Sequence, residues 1–300
     1  MKIQILMSTY NGEKYLKEQL DSILNQSLPV SSILIRDDGS TDRTMEILAE
    51  YSQRYPQITY YPERNIGAAE SFMELIGMAD AQMDYIAFSD QDDVWLPGKL
   101  ERAVSCLERM QNREVPLLYC SNTIPVDSQL HPLPTDSLPR NVRPSFGNAI
   151  VQNINTGCTC VVNGALIRVA RHKHPKFVIM HDWWLYLIAT CFGEVYWDSE
   201  AYIEYRQHVN NEVGAKASKS ELWRSKFRNF CKHRGSIQRQ NQEFMEAFHP
   251  MGEKGQLLAM VAEQRQSFAE RWRVIRTKEI YRQSKMDDRI FRLLYLLGLE

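Results

Sequence analysis

Short apolar runs alternate with segments of helical periodicity along the first part of the chain. Each run is bounded by polar or turn residues, as is typical of buried strands. Between the runs, apolar residues recur at helical spacing, as in Leu16, Leu20 and Ile23. This alternation predicts an α/β fold with a parallel sheet and crossover helices. The predicted strands are 3–7, 33–35, 58–61 and 85–89.

The pattern continues less regularly in the middle of the chain. Further strands are predicted at 117–120, 157–163 and 194–205, and an apolar helix at 185–192. The proline-rich stretch 125–145 predicts a loop.

The character of the sequence changes from about Lys216, where aromatic residues lie among basic ones. Two further helical segments are predicted, at 257–278 and from Asp288 to the end. We therefore divide the chain into a first domain, residues 1–214, and a basic helical extension, residues 215–300.

Polar clusters follow three of the predicted strands. They are Ser8-Thr-Tyr-Asn11, Asp37-Asp38 and Asp90-Gln-Asp-Asp93. Because the carboxyl ends of parallel strands share one edge of a sheet, where open α/β folds bind ligands, the clusters predict a single site. Close carboxylates repel each other and are costly to bury without a cation, and oxygen ligands suit Mg²⁺ or Mn²⁺. We expect a divalent cation that holds a phosphorylated ligand; the alternative is an acidic turn between strand and helix.

Two common phosphate-binding patterns are absent from the sequence. The glycine fingerprint of dinucleotide-binding folds does not follow the first strand, and the glycine-rich loop that ends in Gly-Lys-Ser or Gly-Lys-Thr does not occur. A calcium loop of the EF-hand type is also excluded, because Trp95 stands where a loop starting at Asp90 needs glycine. The phosphate is therefore expected to be held mainly by the cation.

The composition is ordinary for a globular protein, with 44% hydrophobic and 24% charged residues. No apolar run approaches the roughly eighteen residues of a membrane span, and no signal peptide is recognised. We expect a cytoplasmic protein with reduced thiols.

The net charge of −1 conceals an asymmetry along the chain. Residues 215–300 hold 18 Lys and Arg against 10 Asp and Glu, a balance of +8, which leaves −9 for residues 1–214. A basic helical extension predicts an anionic partner, such as a membrane surface. The alternatives are a solvated helical face and packing against the first domain. No nucleic-acid partner is expected.

Seven short motifs occur along residues 1–214. They are Ser8-Thr-Tyr-Asn, Asp37-Asp-Gly-Ser-Thr-Asp42, Asn65-Ile-Gly67, Ser89-Asp-Gln-Asp-Asp93, Gly157-Cys-Thr159, His181-Asp-Trp-Trp184 and Tyr205-Arg-Gln-His-Val-Asn-Asn. In their order and spacing, residues 1–214 resemble the family 2 glycosyltransferases, which have the GT-A fold. The last three motifs are most similar to the bacterial rhamnosyltransferase-like branch, which builds cell-surface polysaccharides.

The resemblance implies a Rossmann-like, mostly parallel sheet flanked by helices, with a C-terminal helical extension. Residues 1–112 would form the nucleotide-binding half of the catalytic domain, and residues 113–214 the acceptor-binding half.

The resemblance also implies roles for individual residues. Asp182 would be the catalytic base, Asp92 the direct metal ligand, and His208 a further contact to metal or diphosphate. Asp38 would accept a hydrogen bond from the pyrimidine, and the Tyr10 ring would lie against the base. The implied nucleotide-binding residues are Ser8, Tyr10, Asn11, Asp38 and Asp90. The implied acceptor or sugar-binding residues are Gly157, Cys158, Thr159, Trp183 and Trp184.

These residue types suit sugar transfer from a nucleotide donor. A metal stabilises the leaving diphosphate, a base takes the proton of the acceptor hydroxyl, and a single displacement inverts the configuration. We expect transfer of rhamnose from dTDP-rhamnose, or of another dTDP- or UDP-sugar, to a lipid-linked glycan at the inner face of the plasma membrane. The alternatives are an inactive nucleotide-sugar-binding module and a nucleotidyltransferase on a related sheet.

Structural roles are the alternatives for several of these residues. They are a helix cap for Asp182, an ordinary hydrogen-bonded histidine for His208, and core packing for Trp183 and Trp184. Cys158 is expected to pack rather than react, because no base or cation flanks it in the sequence.

Glu70 departs from the pattern of the family. It follows Asn65-Ile-Gly67, where many relatives place a basic residue that faces the donor diphosphate. Donor binding on that side is therefore expected to differ. The Gln-x-x-Arg-Trp motif of processive synthases is also absent, which predicts single sugar additions.

Overall fold

The computed structural model describes residues 1–134, 142–207, 235–263 and 267–299. These residues form two compact units. The first contains residues 1–134, 155–174 and 180–207, and the second contains 142–154, 175–179, 235–263 and 267–299. The predicted domain boundary at residues 214 and 215 lies outside the described residues, and the domain division stays a prediction.

An eight-stranded sheet organises the first unit. Its strands are β1 (Ile3–Thr9), β2 (Ser32–Asp37), β3 (Ile58–Pro62), β4 (Tyr85–Ser89), β5 (Val94–Trp95), β6 (Leu117–Val126), β7 (Val161–Asn163) and β8 (Glu194–Arg206). Their order is β3-β2-β1-β4-β7-β6-β8-β5. β1 pairs in parallel with β2 and β4, and β2 pairs in parallel with β3. The parallel sheet predicted from the first four apolar runs is therefore confirmed.

The helices follow the strands in the alternation that the sequence predicts. They are α1 (Leu16–Leu24), α2 (Thr44–Arg54), α3 (Ala68–Met78), α4 (Lys99–Glu108), α5 (Phe146–Ala149), α6 (Gly164–Ala170), α7 (His181–Phe192), α8 (Ser236–Phe248), α9 (Gly252–Ala262), α10 (Phe268–Arg276) and α11 (Lys285–Leu297). Helices α5 and α8–α11 belong to the second unit.

Helices cover both faces of the sheet. Successive residues of a buried strand point to opposite sides, so apolar side chains on each face need a covering layer. Ile5 of β1 and Ala87 of β4 lie in one apolar cluster with residues of α1, α2 and α4. On the opposite face, Phe88 of β4 contacts Phe72 of α3 and His181 of α7. This second contact brings the start of α7 to the sheet.

The outer part of the sheet departs from the parallel pattern. β7 runs antiparallel to β4 and β6, whereas β8 is parallel to β6. The strand predicted over 157–163 is wrong in its first half, because Gly157–Thr159 form a 3₁₀ turn and β7 begins at Val161. Thr159 closes this turn, since its N–H and its hydroxyl each donate to the carbonyl oxygen of Thr156 at 2.8 Å.

Buried polar side chains tie the second unit together. Asn148, in α5, donates from Nδ2 to the carbonyl oxygen of Tyr281 at 2.9 Å. Asn241, in α8, donates to the carbonyl oxygen of Ile150 at 2.8 Å. Each bond gives a donor to a main-chain oxygen that lies outside the helices. Together the two bonds hold the short 146–154 segment among the longer helices.

The long helix predicted over 257–278 is wrong. Two helices, α9 and α10, occupy this part of the chain. Ser267 caps α10 with a capping box, in which Ser267 and Glu270 each accept the other's main-chain N–H. Such a box starts a new helix, and its Ser-x-x-Glu pattern was present in the sequence. Among the described residues, every helix is too short or too polar to cross a membrane.

Candidate functional site

The loops after β1, β2 and β4 lie side by side at one edge of the sheet. The three strands are neighbours and run in the same direction, so their carboxyl ends coincide. The N–H of Asp38 donates to the carbonyl oxygen of Thr9 at 2.7 Å, and the N–H of Tyr10 donates to Oε1 of Gln91 at 2.8 Å. The prediction that the three polar clusters share one edge is confirmed.

Asp37 shapes the loop after β2. Its buried carboxylate accepts hydrogen bonds from the Thr9 hydroxyl at 2.9 Å and from the Ser40 hydroxyl and N–H at 2.6 and 2.8 Å. These three donors join the ends of β1 and β2. Asp37 therefore holds the backbone that presents its neighbour, Asp38.

Asp38 lies between β2 and the loop that leads into α3. It forms a buried ion pair with Arg36. Its two oxygens also accept the N–H groups of Ile66 and Gly67, each at 2.9 Å. The Asn65-Ile-Gly67 motif and the Asp37-Asp38 motif are therefore parts of one hydrogen-bonded loop pair.

The loop after β1 carries three predicted nucleotide-binding residues. The hydroxyl of Ser8 lies 2.6 Å from that of Ser71 in α3. Tyr10 is 49% exposed, so its side chain is accessible from solvent. Asn11 has a left-handed backbone with φ of 49°, and its Oδ1 accepts the N–H of Thr41 at 2.8 Å. This bond fixes the β1 loop against the β2 loop.

Gln91 holds the backbone of Tyr10. The N–H of Tyr10 donates to Oε1 of Gln91 at 2.8 Å, and Nε2 of Gln91 donates to the carbonyl oxygen of Tyr10 at 2.9 Å. No role was predicted for Gln91 from the sequence. It occupies the middle position of Asp-x-Asp, for which the motif gives no chemical requirement, so the sequence held no signal for its role.

Three potential metal ligands, two from the loop after β4 and one from the 3₁₀ turn, lie close together. Asp90, Asp93 and Cys158 each place one ligand atom so that all three atoms lie within 4.8 Å of one another. Asp93 and Cys158 are each 1% exposed, whereas Asp90 is half-buried. Burial raises the pKa of Asp90 to about 7, with a contribution from the charge of Asp92. Burial and the charges of Asp90 and Asp92 raise the pKa of Asp93 well above its usual range.

Lys99 lies close to this acidic cluster. The side chain is 2% exposed, and its Nζ lies 3.2 Å from the centroid of the Trp95 ring. Burial lowers the pKa of Lys99 to about 7, against the opposing influence of Cys158, Cys160 and Asp93. Cys158 therefore has an acid and a base nearby that the sequence did not reveal, because both come from distant segments.

Asp182 lies in the first turn of α7, where the N-cap position belongs to Met180. Asp182 is therefore not the N-cap residue of α7, and that alternative is wrong. Oδ1 of Asp182 accepts the N–H of Trp183 at 2.6 Å. A Cβ atom built on Gly157 would lie 3.6 Å from Oδ2 of Asp182, so the glycine leaves space beside this oxygen. Asp182 is 6% exposed, and its main-chain oxygen accepts from Nδ2 of Asn155 at 3.1 Å.

His181 is a buried histidine that the sequence analysis did not single out. Its ring stacks on Phe72 at 4.0 Å between centroids and lies 5.3 Å from Phe88. Neither ring nitrogen has a hydrogen-bond partner among the residues that the structure describes. Burial lowers the pKa of His181 to about 3, so the imidazole is neutral at physiological pH.

The other predicted acceptor residues are unequally exposed. Trp184 is fully buried, which favours core packing over a sugar contact. Thr159 is also buried and closes the 3₁₀ turn, while Trp183 is half-buried. Of this group, Gly157 and Trp183 are half-buried; Gly157 lies near Asp182 in space, and Trp183 follows it in the chain.

The end of β8 is anchored at the acidic cluster. The N–H of Arg206 donates to Oδ1 of Asp93 at 3.1 Å. The Arg206 guanidinium forms an ion pair with Glu18 and lies 4.3 Å from the centroid of the Tyr15 ring. His208, the predicted further metal ligand, lies outside the described residues, and its role stays a prediction.

Glu70 has a basic partner of its own. Its Oε1 lies 2.6 Å from Nε2 of His174, and Glu74 is close enough to complete an exposed group of three potential ligands. This contact joins residues 104 positions apart, so the sequence could not show it.

The chain is similar in sequence to known proteins. A sequence profile with the description "Glycosyl transferase family 2" matches residues 4–170. The dTDP-rhamnosyl transferase RfbG of Shigella flexneri is 35% identical over 227 residues, which cover 71% of this chain and 75% of RfbG.

Two solved structures are similar in fold. Residues 1–349 of S. aureus TarS, in complex with UDP-GlcNAc, align with a TM-score of 0.58 at 19% identity and cover 86% of this chain and 71% of theirs. The mannosyltransferase PcManGT from Pyrobaculum calidifontis, in complex with GDP-Man and Mn²⁺, aligns with a TM-score of 0.53 at 17% identity and covers 99% and 85%. The GT-A fold predicted from the motifs is confirmed.

We expect His181→Phe to make the protein less sensitive to acid. Below a pH of about 6.5 the unfolded chain binds a proton at residue 181, whereas the folded chain does not until about pH 3. Acid therefore favours unfolding, and this residue should cost about 2 kcal/mol of stability between pH 7 and pH 5. Urea unfolding at both pH values measures this loss of stability, and the variant should lack the contribution of residue 181. The matched control, exposed His172→Gln, should respond to acid as the parent does; an equal response of all three proteins would contradict the prediction.

Proposed function

Since the chain belongs to glycosyl transferase family 2, we propose that this glycosyltransferase is an inverting, metal-dependent rhamnosyltransferase. The donor is a dTDP- or UDP-sugar, foremost dTDP-rhamnose, and the acceptor is a hydroxyl of a cell-surface polysaccharide precursor. The observation that carries the proposal is the common edge of β2, β1 and β4, where the loops proposed to bind the nucleotide meet the carboxylates of Asp90, Asp92 and Asp93.

The loops after β1 and β2 support a nucleotide site. The exposed Tyr10 ring offers an apolar face on which a base can stack. Asp38 presents a carboxylate fixed by Arg36 and two N–H groups. Oδ1 accepts from Arg36 and Ile66, whereas Oδ2 accepts only from Gly67 among these donors and keeps a second lone pair for a pyrimidine N–H. The name of RfbG, at 35% identity, is the support for dTDP-rhamnose as the donor.

The carboxylates at the sheet edge fit a divalent cation. Oδ2 of Asp93 is buried and receives no hydrogen bond from the described residues, as suits an oxygen that binds a cation. The residues that would hold the cation are Asp90, Asp92 and Asp93, with His208 as a further ligand. When bound, the cation supplies positive charge to the oxygens of the leaving diphosphate.

Asp182 is the proposed base. Oδ1 accepts the N–H of Trp183, and Oδ2 lies beside Gly157, which has no side chain to occupy the adjoining space. A sugar hydroxyl in that space would transfer its proton to Oδ2 while its oxygen attacks the donor carbon. The N-terminus of α7 favours the ionised carboxylate before the transfer. Attack from one side with departure of the diphosphate from the other gives inversion.

The second unit supports a lipid-linked acceptor at a membrane surface. Phe268 and Trp272 are one turn apart in α10, are 62% and 45% exposed, and stack with 6.2 Å between ring centroids. Arg273 and Arg276 are exposed on the same helix. Exposed aromatic rings beside arginines suit the boundary between headgroups and acyl chains of an anionic bilayer. The +8 charge of residues 215–300 adds a longer-range attraction.

Nucleotide binding is the first test. We expect dTDP or UDP with Mn²⁺ to raise the melting temperature by several degrees, because ligand at 100 times its Kd stabilises the folded state by about 2.7 kcal/mol. GDP should give a smaller rise, and Asp92→Asn should lose the part that depends on Mn²⁺. Exposed Glu200→Gln is the control and should keep the full shift. The absence of a shift with every nucleotide would count against the proposed donor site.

We expect Asp182→Asn to lower turnover by about 10²- to 10⁴-fold, because the amide cannot accept the proton. Release of dTDP or UDP from the nucleotide sugar measures turnover. The Mn²⁺-dependent melting shift with nucleotide should be unchanged. Loss of binding and turnover together would instead give Asp182 a structural role, and full retention of turnover would overturn its assignment as the base.

We expect the protein to bind vesicles that contain phosphatidylglycerol at low salt, measured by co-sedimentation. Trp272→Ala should weaken binding by about tenfold, a loss of about 1.4 kcal/mol, because the ring no longer inserts. Met251→Ala is the control, since Met251 is 90% exposed but lies outside α10. Equal binding to neutral and anionic vesicles, or no binding at all, would contradict the membrane assignment.

A further inference from the structure

We propose that Arg36 is a positioning residue for base recognition, which fixes the Asp38 carboxylate as a hydrogen-bond acceptor and thereby selects thymine or uracil over cytosine. The inference rests on the proposed function, in which Asp38 accepts a hydrogen bond from the pyrimidine. It adds a residue to which no sequence motif assigns a role, and it names the base that the site should reject.

Arg36 lies on the face of β2 that α3 covers. Ile33 and Ile35 of the same strand belong to the apolar cluster on the other face, so the alternation of the strand turns Arg36 towards α3. Arg36 is 3% exposed there, and its Nη1 donates to Oγ of Ser71 in α3 at 3.2 Å. A charged side chain is almost never buried to this extent unless it is paired.

The guanidinium of Arg36 joins three parts of the nucleotide-binding edge. Nη1 forms the ion pair with Asp38 in addition to its bond with Ser71, and Nη2 donates to the carbonyl oxygen of Arg64 at 3.1 Å. A guanidinium presents its donors in one plane and at fixed angles. Because Ser71 and Arg64 fix this plane, the direction of the bond to Asp38 is set as well.

The Asp38 carboxylate receives donors only. Oδ1 accepts from Arg36 and from the N–H of Ile66, and Oδ2 accepts from the N–H of Gly67. Among the described residues, these donors occupy three of the four lone pairs of the carboxylate, and one lone pair on Oδ2 remains. Rotation of the carboxylate would break these bonds, so the remaining acceptor has a fixed direction.

Asp38 lies next to the loop on which the base is proposed to stack. Its N–H donates to the carbonyl oxygen of Thr9 at 2.7 Å, and Tyr10 follows Thr9 in the chain. A base that contacts the Tyr10 ring is therefore close to Asp38.

The chemistry of the pyrimidines makes a fixed acceptor selective. Thymine and uracil carry an N–H at N3, which can donate to the remaining lone pair of Oδ2. Cytosine carries a lone pair at N3 instead, and two acceptors repel each other. Cytosine could donate from its N4 amino group only if the base or the carboxylate moved, and the donors around Asp38 hold the carboxylate in place.

Stabilisation of the fold alone is the alternative role for Arg36. A buried ion pair costs the desolvation of both charges, and its replacement by apolar side chains is often neutral or stabilising. In that role, loss of Arg36 would change the stability of the protein and the binding of all nucleotides alike. The preference between two bases is therefore the quantity that separates the two roles.

The test is calorimetric titration of the full chain in the presence of Mn²⁺ with UDP and CDP, and with dTDP and dCDP. We expect the parent protein to bind the uracil or thymine nucleotide at least about tenfold more tightly than its cytosine counterpart, as for one hydrogen bond to a charged group. In Arg36→Met the preference should fall to about threefold or less, because the carboxylate can then turn towards N4 of cytosine.

The matched control is Arg102→Met. Arg102 of α4 also pairs with a buried aspartate of the first unit, Asp198 of β8, rather than with a residue of the loops after β1 and β2. This control should keep the preference of the parent protein.

Arg36→Lys serves if the methionine variant does not fold, because it keeps the positive charge beside Asp38. Lysine has one nitrogen where arginine uses two, so it cannot hold both Ser71 and Arg64 as the planar guanidinium does, and the preference should fall by about threefold. Thermal melts without nucleotide verify that each variant folds.

Two results would overturn the inference. One is a parent protein that binds CDP and dCDP as tightly as UDP and dTDP, and the other is an unchanged preference in every Arg36 variant that folds. Sugar transfer from dTDP-rhamnose is measured separately. Transfer without a base preference rejects only the role of Arg36, the expected preferences without transfer reject only the proposed function, and failure of all four nucleotides to bind rejects both.

Discussion

Negative charge buried at the carboxyl edge of the sheet is the constraint on which the rest of the site depends. Asp90 and Asp93 lie in the loop after the central strand β4, where Asp90 is half-buried and Asp93 is 1% exposed. The protein provides one N–H, from Arg206, a nearby thiol, from Cys158, and a nearby ammonium, from Lys99. These groups compensate the carboxylates only in part. The proposed cation would relieve the repulsion that remains.

Interlocked loops make the rim around this charge rigid. Gln91 joins the loop after β4 to that after β1, and Asn11 joins the loop after β1 to that after β2. Asp38 then joins β2 to the loop before α3 through Ile66 and Gly67. Since each loop is fixed by its neighbour, little conformational entropy is left to lose when a ligand binds. These bonds connect the motifs to one another, which explains why motifs that are each weakly specific occur together in this sequence.

Helix α7 contributes Asp182, the proposed base, to the same unit. Asp182 is positioned by the helix start, and His181 anchors that start by stacking on Phe72 and Phe88. The neutral imidazole, which has no hydrogen-bond partner in the described parts of the chain, costs stability. It also lies against Gly157 and so helps to set the position of the next residue, Asp182. Glycine fits there without displacing the histidine, because a Cβ atom would lie only 3.0 Å from Cε1 of His181 and the ring would have to shift.

Local patterns in the sequence determined the parallel half of the sheet and the convergence of the Ser8, Asp38 and Asp90 clusters. Apolar runs and helical periodicity act over a few residues, and a right-handed crossover then fixes the direction of each strand. Only the tertiary structure decided that β7 is antiparallel and that Gly157–Thr159 form a turn. It also decided the meeting of Cys158 with Asp93 and the burial of Lys99, which looks like a surface residue at a helix start. The physical reason is that strand pairing and burial join residues far apart in the chain, and no single residue type announces its distant partner.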